Sequence, residues 1–293
     1  MRLQAKRVLL TGASSGIGRE VAKILASKGA VLAIAARRGE VLEQVADEIA
    51  ATGTERPIPL VVDLAERDSA ANLGRQALSE LGAIDVLIND AASNLHGFPS
   101  VVGDRDEARE LFEINFWSHM ALIHAVVPSM REQGAGTVVN VTSMAYVAPF
   151  PALGHYCASK AAFAVATHSL RLELRRYGLN VLEVVPGTVD TPSVHENRLL
   201  AGADQWIDRA RPTKPEKIAR AIVRAIERRR SRLIFPRRIS PGYEIPIFSR
   251  IYSRSVSKYV DPDKTPVRRT GDLDSPASVA VREEWERKHR AAA

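Results

Sequence analysis

Tyr156 and Lys160 stand four residues apart in Tyr156-Cys157-Ala158-Ser159-Lys160, at the start of a run with helical patterning. Residues four apart share one face of a helix, so the phenol and the ammonium project into the same space. A free tyrosine is a poor acid or base at neutral pH, and a fixed neighbouring cation favours its phenolate. Proton transfer is the chemistry such a pair can do. The same spacing also occurs on ordinary helix surfaces. A second constellation, Thr11-Gly12-Ala13-Ser14-Ser15-Gly16-Ile17-Gly18, follows a strand-like run and opens a helix. Glycines there permit a tight turn and close approach of a pyrophosphate, whose charge the helix N-terminus stabilises. The spacing departs from G-x-G-x-x-G, and a tightly packed helix cap is the competing account. Arg37 and Arg38 follow Ala36 at the end of the second strand-like run. An acidic residue at that place would bind a ribose 2′-hydroxyl and repel a 2′-phosphate, whereas a guanidinium fork suits the phosphate. Two solvated arginines are the alternative.

The elements that must position these residues are legible as alternating patterns. Short apolar runs occur at Val8–Leu10, Ala30–Ala35, Pro59–Val62, Val86–Ile88, Thr137–Val141, Asn180–Val185 and Leu233–Phe235, separated by helix-like stretches. Near-continuous apolar strands alternating with helices predict a parallel sheet covered on both faces. The expected fold is α/β, a Rossmann-type doubly wound sheet of seven strands, in one domain over residues 1–236. Residues 237–293 read as a basic C-terminal extension, partly ordered, with an amphipathic helix around 247–259.

Bulk properties bound the function classes. The chain has 293 residues and one cysteine, Cys157, so no intrachain disulfide and no cysteine metal cluster can form. The seven histidines lack a zinc spacing. No signal peptide and no apolar run of roughly 20 residues is visible, which predicts a cytoplasmic protein. The net charge of +7 is concentrated: residues 211–260 hold 14 Lys/Arg against 3 Asp/Glu. No nucleic-acid module accompanies this basicity, and none is expected as a partner.

The glycine turn closely resembles the T-G-x-x-x-G-x-G signature of the short-chain dehydrogenase/reductase family. Further matches follow in order over about residues 6–236. Ser143 precedes Tyr156 by thirteen residues, the family's separation of catalytic serine and tyrosine; Thr142 is the competing hydroxyl. Asn115 matches the asparagine of the fourth helix, which supports a water-mediated relay to the lysine. The resemblance therefore implies a catalytic set of Asn115, Ser143, Tyr156 and Lys160. For the cofactor it implies Gly12, Ser14, Ser15, Gly16, Ile17 and Gly18 in the turn, and Arg37 and Arg38 selecting NADP(H) over NAD(H). Asp63 and Leu64 resemble the adenine-contacting pair. Asn89 and Ala91 fit the N-N-A-G segment, while Asp90 and Ala92 depart from it. Pro186, Gly187, Val189 and Thr191 resemble the P-G-x-x-x-T segment beside the nicotinamide, and Tyr156 and Lys160 would also touch the cofactor. Residues 192–210 correspond to the substrate-covering loop.

These matches imply an NADPH-dependent oxidoreductase in which hydride passes between nicotinamide and a carbonyl carbon while Tyr156 exchanges a proton with the oxygen. A nucleotide-sensing protein without turnover is the alternative outside the enzyme class. The resemblance also implies a homodimer or homotetramer, with the helices carrying Asn115 and Tyr156 at one interface. Cys157 reads as a packing choice, His155 as a residue without a function, and Phe116 and Trp117 as core. In the extension, Phe248, Ile251, Tyr252, Val256 and Tyr259 recur at helical spacing beside Arg250, Arg254 and Lys258. Such a basic amphipathic helix could lie on an anionic membrane surface, making the protein a peripheral reductase of a lipid or steroid-like ketone, or it could dock on a partner subunit or cover the active site.

Overall fold

The computed structural model describes residues 1–197, 207, 210–257, 260, 265 and 267–270. From the N-terminus, β1 (Arg7–Thr11), α1 (Gly16–Ser27), β2 (Val31–Ala36), α2 (Gly39–Ala50), β3 (Ile58–Val61), α3 (Ser69–Leu81) and β4 (Val86–Asn89) form the first half. A short β5 (Asn94–His96) and the helices α4 (Pro99–Val102), α5 (Asp106–Phe112) and α6 (Ser118–Glu132) follow. Then come β6 (Thr137–Val141), α7 (Gly154–Leu174), β7 (Asn180–Pro186), α8 (Pro192–Glu196), α9 (Pro215–Glu227) and β8 (Arg232–Phe235). The chain continues through α10 (Ser240–Glu244), α11 (Pro246–Ser257) and β9 (Arg268–Thr270).

Seven strands form one parallel sheet in the order β3-β2-β1-β4-β6-β7-β8. This is the doubly wound Rossmann-type arrangement expected from the apolar runs. Alternate strand residues face opposite layers. Val8, Leu10, Ile34, Ile88, Val139 and Val184 pack against α1, α2 and α9. Leu9, Ala33, Leu60, Leu87, Val138 and Val181 pack against α3, α6 and α7. With both faces buried, the strands need apolar residues on both sides, which is why their sequences are runs rather than alternations. Strand order reverses between β1 and β4, and open α/β sheets bind ligands at such a switch point, beyond the strands' carboxyl ends.

Two features were not visible in the sequence pattern. A second, two-stranded sheet pairs β5 with β9 antiparallel, bringing Leu95 opposite Arg269. Three-residue strands so distant in sequence carry no periodic signal. Their pairing folds the extension back over the core, with Val260 in a cluster beside Phe150, Leu153 and Cys157, and Val267 beside Leu95 and Leu111. Lys258, Tyr259 and residues 198–206, 208 and 209 of the expected substrate-covering loop lie outside the described residues. Trp117 corrects an expectation: it is 56% exposed rather than core. It ends a π-helical turn, Glu113–Trp117, between α5 and α6. That turn buries Ile114 and Asn115, and the Trp117 ring packs edge-to-face with Phe116 at a centroid separation of 4.7 Å.

Candidate active site

The turn after β1 is shaped by what its glycines exclude. Gly12 has φ +77°, and a Cβ there would stand 2.8 Å from the Ala91 amide nitrogen. A Cβ on Gly18 would stand 2.4 Å from the Gly12 carbonyl oxygen and 2.9 Å from Asp90 Oδ2. The turn can therefore close against β4 only with hydrogen at these positions. Thr11 reinforces the closure, its hydroxyl accepting hydrogen bonds from the Asp90 and Ala91 amides at 3.2 Å.

A cleft of about 300 Å³ opens above the sheet at this turn. Its wall contains Gly12, Ser14, Ser15, Gly16 and Ile17 from the turn, and Arg37 and Arg38 from the end of β2. Asp63, Leu64 and Ala91 follow β3 and β4, while Pro186, Gly187, Val189 and Thr191 close the far side. Ser143, Tyr156 and Lys160 reach the same cleft. Arg38 donates to the Ser14 hydroxyl at 3.3 Å, which ties the second strand's end to the glycine turn. Glycine backbone, a helix N-terminus and two guanidinium groups in one wall make a donor set suited to a phosphorylated dinucleotide.

Three of the sequence-derived residues are absent from that wall. Gly18 packs beneath Gly12. Asn89 is fully buried in β4 and donates to Asn140 Oδ1 at 2.9 Å. Asn115 is likewise buried, receiving the Ser93 amide at 2.8 Å and donating to the Ser93 carbonyl and the Ser159 hydroxyl at 3.0 Å. Each supports the loops around the cleft rather than facing into it. The π-helical turn supplies the extra residue that aims Asn115 inward, a device often found at functional sites.

Ser143 caps the short 3-10 turn Met144–Tyr146, its oxygen accepting from the Ala145 amide at 3.1 Å. The same side chain reaches the cleft beside Tyr156 and favours the phenolate. Thr142, the competitor, spends its hydroxyl on the Val184 carbonyl at 3.0 Å. Lys160 is almost fully buried and donates to the Val141 carbonyl at 3.1 Å, with its nitrogen 6.0 Å from the Tyr156 ring centre. Burial pushes the tyrosine up to about 12, against the lowering influence of Ser143. Burial likewise pushes Lys160 down to about 8, and the Asp90 carboxylate opposes that fall. The phenol is thus held protonated at neutral pH, in the form that can donate.

Asp90, which departs from the family segment, takes a place in the site. It lines the cleft beside the Gly18 amide, which favours its charged form, and couples electrostatically to Lys160. Burial raises its carboxyl to about 7, while Lys160 and the Gly18 amide pull it back. Its signal was the carboxylate standing where the resemblance expects an amide. His155 does not reach the cleft; its Nε2 pairs with the Gly103 carbonyl at 2.8 Å. Cys157 is buried among Phe150, Leu153 and Val260, with its thiol pushed up to about 11 by burial, which fits packing.

A second, larger cavity of about 420 Å³ shares Ser143, Tyr156, Pro186 and Gly187 with the first. Met144, Ala145, Ala148, Phe150, Leu153 and Val194 make most of its wall apolar. Arg238, Phe248, Ser249 and Tyr252 bring the extension into the same wall.

The arrangement has close counterparts. The family model for short chain dehydrogenase matches residues 6–200. A short chain dehydrogenase of Pseudocercospora fijiensis is 39% identical over 191 residues, covering 65% of this chain and 62% of that protein's length. The NADP-dependent 3-hydroxy acid dehydrogenase of Schizosaccharomyces pombe is 32% identical over 251 residues, covering 83% of this chain and 95% of that one. Among solved structures, a short chain dehydrogenase/reductase from Burkholderia phymatum, in complex with NAD, superposes with a TM-score of 0.76. It is 24% identical, and the match covers 89% of this chain and 98% of that one. A metagenomic short-chain oxidoreductase in complex with NADP gives a TM-score of 0.67 at 28% identity, over 80% and 98% of the two chains. With a matching family model over most of the fold and the glycine turn, serine, tyrosine and lysine at one cleft, the chain is an oxidoreductase of the short chain dehydrogenase family.

Proposed function

We propose that the protein is an NADPH-dependent reductase of ketones or aldehydes, reversible as an alcohol dehydrogenase. The observation that carries the reading is the convergence of Ser143, Tyr156 and Lys160 on a cleft that continues from the glycine turn into the apolar cavity. The bound nicotinamide nucleotide supplies or accepts the hydride. Tyr156 donates its phenolic proton to the substrate oxygen in reduction and takes it back in oxidation. Ser143, in the same cleft wall as that phenol, holds the substrate oxygen beside it. Lys160, as a cation, favours the phenolate left after proton transfer.

NADP(H) is favoured over NAD(H) by Arg37 and Arg38 in the cleft wall, by the Arg38–Ser14 contact, and by Ala36 where a ribose-binding acid would stand. Of the similar proteins, one is NADP-dependent and one is solved with NADP, whereas one alike in fold is solved with NAD. Gly12, Ser14, Ser15, Gly16 and Ile17 would hold the pyrophosphate, Asp63 and Leu64 the adenine, and Val189 and Thr191 the carboxamide side. Gly18, Asn89 and Asn115 act through the residues they pack against. The test is NADPH oxidation across a panel of carbonyl compounds, with Tyr156→Phe as control. Normal NADPH binding without turnover of any substrate by the unsubstituted protein would instead identify a sensor.

Association into a dimer or tetramer belongs to the same reading. Trp117, Val165 and Leu172 are 56%, 72% and 65% exposed, and they stand on the π-helical turn and on α7. A second copy covering these helices would bury them. Among the described residues, no helix is long and apolar enough to cross a membrane.

A further inference from the structure

Helix α11 is amphipathic in the reverse sense. Surface helices ordinarily bury their apolar stripe and expose their polar one. Here Ser249 is 4% exposed and the Ser253 hydroxyl is buried, so small polar residues face the protein. Ile247, Phe248, Ile251 and Tyr252 are 54%, 50%, 57% and 40% exposed, and Ile245, just before the helix, is 47% exposed. With about 100° between successive helix residues, the four apolar side chains of the helix occupy one continuous arc opposite the serines. Isolated exposed apolar residues are normal, but five within residues 245–252 form a patch that asks for a cover.

Charge identifies the cover. Arg250 and Arg254 are exposed, one turn apart, at the edge of the apolar arc. Arg237 and Arg238 are exposed just upstream, and Glu244 is the sole acidic residue between positions 237 and 257. A second copy on a two-fold axis would set these arginines against their own counterparts, with Glu244 the one acidic residue of 237–257 to offset them. An anionic lipid surface meets both features: the apolar side chains enter the headgroup boundary while the arginines reach lipid phosphates.

The patch is also continuous with the active site. Phe248 and Tyr252 belong to the wall of the apolar cavity that contains Ser143 and Tyr156. We propose that α11 seats on an anionic membrane surface and that hydrophobic carbonyl or hydroxyl substrates enter the cavity from it past Phe248 and Tyr252. The substrate half of this proposal rests on the catalytic reading above; the docking half does not.

Sedimentation of the full chain with vesicles tests docking. Binding to phosphatidylcholine vesicles enriched in phosphatidylglycerol is expected to exceed binding to pure phosphatidylcholine by about tenfold or more, and to weaken with added salt. The double variant Ile247→Glu, Ile251→Glu should lose that binding, whereas Arg250→Gln, Arg254→Gln should lose chiefly the preference for anionic lipid. Neither isoleucine lines the cavity, so turnover of a short water-soluble ketone should be unchanged in the isoleucine variant. Turnover of a long-chain ketone dissolved in anionic vesicles should fall. The proposal is overturned if the full chain stays in solution with both vesicles, or if the isoleucine variant binds like the parent. It is equally overturned if that variant lowers the molar mass in vesicle-free buffer, since a second copy would then be the cover. Absence of turnover with every ketone in the parent would sink the catalytic reading while leaving vesicle binding to decide the docking.

Discussion

Tyr156 sits between opposing influences: burial holds its proton, while Ser143 eases its departure. Replacing it with phenylalanine removes the proton donor and leaves the cleft's shape. The expected loss in kcat/KM is roughly 10²–10⁴-fold, with NADPH affinity retained, measured by steady-state kinetics beside a fluorescence titration. The pH dependence follows from Lys160. Because burial lowers its pKa to about 8, its charge is present below that value and is lost as pH rises through it. If the cation assists proton transfer, kcat/KM for reduction falls above about pH 8. Asp90 favours the charged lysine, so Asp90→Asn should move that break downward by roughly one unit. A break that stays in place would remove Asp90 from any role in tuning the lysine. Replacing Arg37 and Arg38 together by alanine should raise the KM for NADPH about tenfold or more and leave that for NADH nearly unchanged. An equal effect on both cofactors would place the arginines outside 2′-phosphate recognition.

At the scale of elements, the glycine turn and the loop after β6 set the geometry. Gly12→Ala places a methyl group against the Ala91 backbone at a positive φ, and should cost roughly 1–3 kcal/mol together with cofactor binding. Thermal unfolding with and without NADPH measures both. A second device ties the catalytic loop to the extension. Tyr146, three residues beyond Ser143, donates to the buried Glu183 carboxylate at 3.0 Å and meets the Tyr243 hydroxyl at 2.8 Å. Glu183 is held in turn by Arg232 at 2.9 Å. Tyr146→Phe should cost about 1 kcal/mol of stability. It should also raise substrate KM more than it lowers kcat, because α10, which carries Tyr243, also contributes Gly242 to the cavity wall. The apolar runs revealed the seven strands because a doubly covered parallel sheet demands them. The β5–β9 pair and the π-helical turn left no such trace, since their partners and register depend on contacts far away in sequence.

For the whole molecule, the distribution of exposed apolar side chains is the informative quantity. Trp117, Val165 and Leu172 are exposed on the π-helical turn and α7, and the α11 face carries a further set. Charged substitutions at the first three should convert an oligomer to a monomer by light scattering and leave vesicle binding intact. An unchanged mass would remove those helices from the interface. The extension also shields the interior: Val260 packs in the cluster that buries Cys157. Ending the chain at Pro236 should therefore make Cys157 about tenfold or more faster to alkylate at neutral pH, as burial no longer suppresses its thiolate. An unchanged rate would show that this cluster closes without the extension.

The order of residues carries what local chemistry dictates. Apolar runs specify a sheet buried on both faces, glycines specify a turn that only hydrogen can close, and Tyr156 and Lys160 specify one helical face. It also carried the order of Ser143, Tyr156 and Lys160 through family resemblance. Only the tertiary structure separated residues lining the cleft from those beneath it, placing Gly18, Asn89 and Asn115 in support and Asp90 beside Lys160. Only it brought Phe248 and Tyr252 into the same cavity wall as Tyr156. The reason is physical: spacing fixes which face of its own element a side chain takes, whereas burial, proton affinity and shared cavities depend on neighbours supplied by distant parts of the chain.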